Sequence, residues 1–372
     1  MRKSNLRLVH SRPSIAGFSL IELMVAMAIG LFLVAGLFLL VANNSRTREE
    51  IDKAGRKVEN GRFAMQRMSE DIKNAGFFGD FFNLPAPVAL PDPCSTDLAV
   101  LQSGLALPIQ GYADVSAANL GVLGLGCIPA ADFVTGTNVL VVRFANPSPV
   151  TGMEDGWTTV PATLGAGQIF LQSNMDSVVF AGGTSAAPAA AAFPLTNNSA
   201  AGTPLAPVYP YITRIYFLGP CGRIAAGQST CTASADGGAP VPSLRMVQLE
   251  AGATGAVFSS PSVAVANGIE VMEFDYGIDS TYSGGAATTT SGSVNSLTRT
   301  PTVSEFADVV SVTISLLARN AELSVGYVDD KKYVVGLHYP VAAPYVPTAL
   351  NFKRHQFQMT VRVANTSMRR EK

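Results

Sequence analysis

From Phe18 to Ala42 the chain reads FSLIELMVAMAIGLFLVAGLFLLVA, 25 residues with a single ionisable side chain, Glu22. Nothing else in the sequence restricts the fold as strongly. At about 1.5 Å per residue this run makes a helix of roughly 37 Å, enough to cross a hydrocarbon core of about 30 Å. The apolar region of a cleavable secretory signal, about 7–15 residues, is too short to match it. Residues 1–17 carry Arg2, Lys3, Arg7 and Arg12 and no acid. The positive-inside rule therefore keeps 1–17 in the cytoplasm and sends 43–372 across the membrane. A carboxylate in a membrane helix costs about 2.5–3.5 kcal/mol near the centre and less near an end. Glu22 is either an acid snorkelling to the interface or a functional group.

The rest of the 372 residues excludes several classes. Charged residues are only 14% of the chain, too few for a disordered acidic protein. Lys and Arg number 26 against 27 Asp and Glu, and setting aside the four basic residues of the head leaves 22 against 27. No overall field would steer a polyanion, and no basic, aromatic-lined stripe is present, so no direct nucleic-acid partner is expected.

A second helical pattern follows the apolar run. Ile51, Ala54, Val58, Gly61, Met65, Met68, Ile72 and Ala75 are spaced alternately by three and four, a heptad seam. Arg48, Asp52, Lys53, Arg56, Glu59, Arg62, Arg67, Glu70 and Asp71 are expected on the other faces, and Gly76 is a plausible stop. The organisation expected is 1–17 as a leader, 18–42 as the membrane helix, 43–76 as its amphipathic continuation and 77–372 as a β-rich head.

Within the head, Val139–Phe144, Ile212–Leu218, Leu244–Leu249, Ile269–Ile278, Val310–Leu316 and Phe357–Val363 read as strands. The last two alternate apolar and polar residues, so each predicts one buried and one solvated face. The fold class is α+β, a long N-terminal helix packed on an antiparallel sheet. The Ala/Pro-rich stretch 182–207 and the Gly/Ser/Thr-rich stretch 280–304 are expected to be mobile loops that bury little side chain.

All four cysteines, Cys94, Cys127, Cys221 and Cys231, follow the apolar run. An even count in an exported domain suggests two disulfides with three possible connectivities. Cys94–Cys127 and Cys221–Cys231 are favoured, because each pair is close in sequence and flanked by Pro or Gly turns. No metal-ligand spacing occurs, and neither a metal nor a cofactor is expected. His10, His338 and His355 are single residues, and no nucleophile, zinc or phosphate-loop motif is present, so no enzyme is expected. Asp275 and Asp279 read as a turn or a solvated edge rather than a calcium loop. Asp329, Asp330, Lys331 and Lys332 read as a charged hairpin turn.

The string GFSLIELMVAMAIG at 17–30, behind a basic leader, resembles the class III (type IV) prepilin signature. That resemblance implies cleavage between Gly17 and Phe18 by a prepilin peptidase and N-methylation of Phe18. It also implies a pairing of Glu22 with the N-terminal amine of a neighbouring subunit in a fibre. NGRFAMQRMSEDIKNAGFFG (60–79), VANGIEVMEFDYGID (265–279), ADVVSVTISLLARN (307–320) and HQFQMTVRVAN (355–365) resemble the PilW family of type IV pilus minor pilins. The family implies a pilin-like fold and a structural role in pilus assembly or initiation, in a tip or priming complex. The implied partners are other minor pilins, the major pilin, a tip adhesin and an inner-membrane assembly platform. The implied location is the inner membrane, head outward, and then the pilus. The chain lacks a Pro between 18 and 84, unlike many major pilins, and its length of about 355 residues without the leader favours a minor subunit. The N-terminus fits equally a minor pseudopilin of a type II secretion system. A membrane-anchored periplasmic enzyme or binding protein is the third reading, and it predicts no cleavage after Gly17.

Overall fold

The computed structural model describes residues 17–161, 164–197, 204–281 and 292–370. It divides into two compact units, up to Asp52 and from Lys53 onward. From Leu20 the described residues of the first unit are helical. Helix α1 runs Leu20–Asn74, and none of its most apolar window is buried.

The second unit holds the last part of α1 and the head. Strands β1 (Ile109–Val115), β2 (Thr137–Ala145), β3 (Ile169–Ser173), β4 (Val178–Gly182), β5 (Val208–Gly219), β6 (Ser243–Ala251), β7 (Ala256–Phe258) and β8 (Val263–Asn267) form one sheet. Its order is β1-β2-β5-β3-β4, with β6 beside β5 and carrying β7 and β8. A second sheet has the order β10-β9-β11-β12, from β9 (Ile269–Ile278), β10 (Ser296–Thr298), β11 (Val309–Arg319) and β12 (Arg354–Arg362). All these pairings are antiparallel. Short helices α2 (Leu98–Ser103), α3 (Val303–Ala307) and α4 (Ala364–Met368) complete the elements used below.

One core joins the helix to both sheets. Met65, Met68 and Ile72 of α1, with Ala75 just after it, meet Leu140, Val142 and Tyr216 of the first sheet and Met272, Phe274, Ile314 and Leu316 of the second. Ile314 stands opposite both Phe274 and Met359, which fixes the register of β9, β11 and β12. A one-residue slip would turn Ile314 and Phe274 out of the core.

The heptad seam is buried only in its second half. Gly61, Met65, Met68 and Ile72 are buried, whereas Val58 is 37% and Ile51 63% exposed. Lys53, Lys57 and Ala64 are on the covered face instead. An α-helix drifts about 20° per heptad against a 3.5-residue repeat, roughly 60° over the three heptads from Ile72 back to Ile51. The covered face follows the 11-residue spacing Lys53, Ala64, Ala75, as a straight helix on a sheet requires. Lys53 reaches the Leu323 carbonyl at 3.1 Å.

Asp71, expected on an outer face, is 2% exposed. It accepts from Arg214 and from the Tyr216 hydroxyl, each at 2.5 Å, and so ties α1 to β5. Burial, and then the Asp71 carboxylate, push the Tyr216 hydroxyl well above its ordinary pKa.

Strand β11 has no solvated face. Ser311, Thr313 and Ser315 are buried along with Val312 and Ile314. The chain between β11 and β12 folds back, so that Tyr333 and Val335 pack on Val271 and Leu317. Strand β12 keeps exposed positions on both faces, with Met359 41% exposed. The stretch 182–207 also departs from expectation. Phe193 is 1% exposed and packs edge-on against Trp157 and Phe170. Residues 198–203 lie outside the described set. In 280–304, residues 292–304 contribute β10 and the capping box of α3, Thr302 with Glu305, while 282–291 lie outside the described set.

The two sheets approach closely at Gly111. A Cβ there would run into the hydroxyl of Tyr276, whose ring is 2% exposed and packs edge-on against Phe306. Gly111→Ala is expected to cost the head about 1–3 kcal/mol in denaturant unfolding, the range for overpacking. Adding Tyr276→Phe removes the clashing oxygen and is expected to recover part of that loss. Equal stability of Gly111→Ala and the parent would contradict this packing.

Candidate functional site

Gly17, Phe18 and Ser19 precede the first helical residue, Leu20. Phe18 is 88% exposed. Ser19 Oγ accepts from the Glu22 backbone N–H at 3.2 Å, and Glu22 Oε2 accepts from the Ser19 N–H at 3.2 Å. This reciprocal pair is a capping box, which satisfies two orphan donors of the first turn. It also places a carboxylate at the positive end of the helix dipole. The spacing Ser19-x-x-Glu22 carries that signal in the sequence.

Glu22 stands beside Ile21, Val25, Ala26 and Ile29 on an uncovered strip of the helix. Around it Leu20, Ile21, Leu23, Met24 and Phe32 are all more than half exposed. A helix so apolar on all sides is stable only in lipid or against other helices. A lone charge in such a surface carries a desolvation cost that a cationic partner at the matching level would offset.

The cysteines pair as Cys94–Cys127 and Cys221–Cys231, with Cα atoms 5.5 and 5.8 Å apart. Around the second bridge, the Cys231 N–H donates to Asp132 at 2.6 Å and Arg245 donates to the Cys221 carbonyl at 2.9 Å. Arg245 is 2% exposed and also binds Ser262 through its side chain and carbonyl.

The remaining candidates are structural. Asp275 is buried and accepts from the Leu337 N–H at 3.2 Å. Asp279, also buried, accepts from Thr281 and Gly292. Neither is a solvated edge. Asp329 is not in an exposed turn, because its carboxylate is enclosed against Arg354 at 2.9 Å. Asp330, Lys331 and Lys332 stay exposed. Among the described residues no group of three or more His, Cys, Asp or Glu is arranged to hold a metal. His10 lies outside the described residues, and His355 is exposed beside Phe357.

His338 is not solitary. Its Nδ1 lies 3.0 Å from Glu273 Oε1 and 3.1 Å from Arg299 Nη2, and its ring stacks on Tyr339. Arg299 forks onto Asp114 at 2.8 and 2.9 Å, and Asn138 donates to Glu273 at 2.7 Å. These residues are scattered from 114 to 338, so no local spacing could reveal the cluster. Burial pushes the Glu273 carboxyl above its ordinary range, against the pull of His338, Asn138 and Arg299. A raised acid binds protons more tightly in the folded state, so its ionisation lowers stability as pH rises. Glu273→Gln is expected to melt with the parent near pH 4 and above it at pH 7, by a few degrees. A variant that melts below the parent at pH 7 would show that the ion pairs outweigh burial.

The comparisons with known proteins address both ends of the chain. Residues 230–365 match the family model of type IV pilus-assembly protein W, and 12–38 match the prokaryotic N-terminal methylation motif. No curated protein matches. A type IV-like pilin from Thermus thermophilus is a structural match at 11% identity and TM-score 0.25, covering 62% of this chain and 80% of that one. At that score the match carries no weight for fold or role. The exposed apolar helix, its methylation motif and the antiparallel head define a membrane-anchored, prepilin-type subunit. The PilW match over 230–365 and the methylation motif over 12–38 together support a type IV pilus minor pilin.

Proposed function

We propose that this subunit acts in the complex that primes the fibre, at or near its tip, together with other minor pilins. The observation that carries the reading is Glu22, a single carboxylate at the start of an uncovered apolar helix. The leader 1–17 stays on the cytoplasmic side, prepilin peptidase cuts between Gly17 and Phe18, and Phe18 is methylated. The new ammonium group of one subunit then meets Glu22 of the next. Each Glu22 exchanges its weak bond to the Ser19 N–H for a charge-assisted one in a dry bundle, where such pairs are strongest. The helices 18–42 pack side by side, the heads meet through loops and strand edges, and the major pilin adds behind them from the inner-membrane platform. A tip adhesin would sit on the outer heads. The PilW match supports a pilus rather than a type II secretion system, whose minor pseudopilins share the same N-terminal logic.

Immunogold labelling of the head on sheared pili tests this placement. Label confined to one end of the fibre is expected. Label spread along the shaft, or normal fibre assembly in cells lacking the subunit, would contradict it.

A further inference from the structure

The head contains a cavity of about 640 Å³ that neither processing nor helix packing uses. The extended loop 82–87, with Phe82, Leu84, Pro85 and Pro87, supplies its apolar lining, and Asp308, Arg369 and Arg370 supply its charge. Two of these charges cancel. Arg370 Nη2 meets Asp308 Oδ1 at 2.5 Å and the Ala307 carbonyl at 2.7 Å. Arg369 is different. Its Nη2 donates to the carbonyls of Gly76 at 2.7 Å and Phe81 at 3.1 Å, but its Nη1 is buried without a hydrogen-bond partner. No carboxylate of the described residues forms an ion pair with it. Burial alone pushes its guanidinium down to about 10, the mark of a cation held without a counter-charge.

Leaving a buried donor unmade costs about 1–3 kcal/mol, more when the group is charged. A guanidinium is a planar fork that matches a carboxylate in shape and charge. The volume falls within the range of ligand sites, about 300–1,000 Å³, and is larger than a lone small anion needs. Around the single unmatched cation the lining mixes the apolar residues of loop 82–87 with Asn83, Ser304, Thr366 and the paired Asp308 and Arg370. We infer that this cavity binds an acidic side chain carried on an extended apolar peptide segment, with Arg369 as the residue that receives the carboxylate.

The test is calorimetric titration of the full chain in detergent with the blocked tripeptides acetyl-Leu-Glu-Leu-amide and acetyl-Leu-Gln-Leu-amide, and with acetate. The Glu peptide is expected to bind at least 10-fold more tightly than the Gln peptide, and acetate more weakly than either. Arg369→Gln is expected to erase the difference between the peptides, and Arg369→Lys to keep only part of it. Because Arg369 also binds two carbonyls, its loss could unfold the head. Ala86→Trp, on an exposed loop position that lines the cavity, is then the deciding variant and is expected to weaken the Glu peptide at least 10-fold. Equal binding of the two peptides, or Glu-peptide binding unchanged in Ala86→Trp, would overturn the assignment. Acetate binding as tightly as the Glu peptide would overturn the peptide as its occupant.

Discussion

Replacing Arg354 with alanine is expected to destabilise the head by about 3–5 kcal/mol, the usual loss when one partner of a buried ion pair is removed. The Arg354 side chain is fully buried. Its Nε meets Glu270 at 2.6 Å, its Nη1 meets Asp329 at 2.9 Å, and its Nη2 donates to the Ala349 carbonyl at 2.7 Å. Asp329 is itself fully enclosed and accepts from the Tyr333 hydroxyl at 2.9 Å. One guanidinium therefore holds β9, the start of β12 and the segment that covers β11. Burial raises the Asp329 carboxyl, but the bonds from Arg354 and Tyr333 outweigh it and hold the group below the ordinary carboxylate range. A depressed acid contributes stability above its unfolded pKa, and this contribution disappears as pH falls through its folded pKa. In Arg354→Ala two carboxylates are left in a dry site without their cation. The deficit is expected to be largest at neutral pH and to shrink in acid, as the orphaned groups take up protons. Denaturant unfolding of the parent and the variant at pH 7 and pH 4 measures both points. A loss below about 1 kcal/mol at pH 7, or a loss that grows in acid, would show that the pair is not what closes this face.

The second large effect is on assembly rather than on folding. Glu22→Ala is expected to leave cleavage and methylation intact and to reduce the subunit in sheared fibres at least 10-fold. The capping box is worth only about 0.5–2 kcal/mol, and a helix of this length in lipid does not depend on it. The head would therefore keep its melting behaviour. Glu22→Gln separates two roles. It can still accept from the Ser19 N–H, but it carries no charge for a neighbour's amine. If Glu22→Gln enters fibres as well as the parent does, Glu22 is only a cap, and the pairing proposed above is wrong. Quantitative blotting of sheared fibres against whole-cell protein gives the ratio.

The sequence revealed the elements whose signal is local. The membrane-length run, the later core strands β9, β11 and β12, and the residue types of the processing motif can all be read directly along the chain. Strand β1 was missed because IQGYADV contains Gly111 and Asp114 and does not alternate, and its Gly is explained only by Tyr276 of the other sheet. The apolar seam of α1 was legible from Gly61 to Ala75, where the heptad and the true helical period coincide. It failed toward Ile51, where they have drifted apart. Phe193 was hidden because one aromatic in an Ala/Pro-rich stretch changes its composition little, yet that ring anchors the stretch beside Trp157. Asp71 and Asp329 read as surface charges, because a charge reveals its burial only through partners far away in sequence. The cavity at Arg369 was illegible for the same reason, since it draws on residues from 82 to 370.

The most direct check on the whole reading is the intact mass and N-terminal sequence of the membrane-extracted chain, produced with and without prepilin peptidase. A chain beginning at N-methylated Phe18, found only when the peptidase is present, is expected. A chain that keeps residues 1–17 in the presence of the peptidase, or one cut after residue 42, would contradict it.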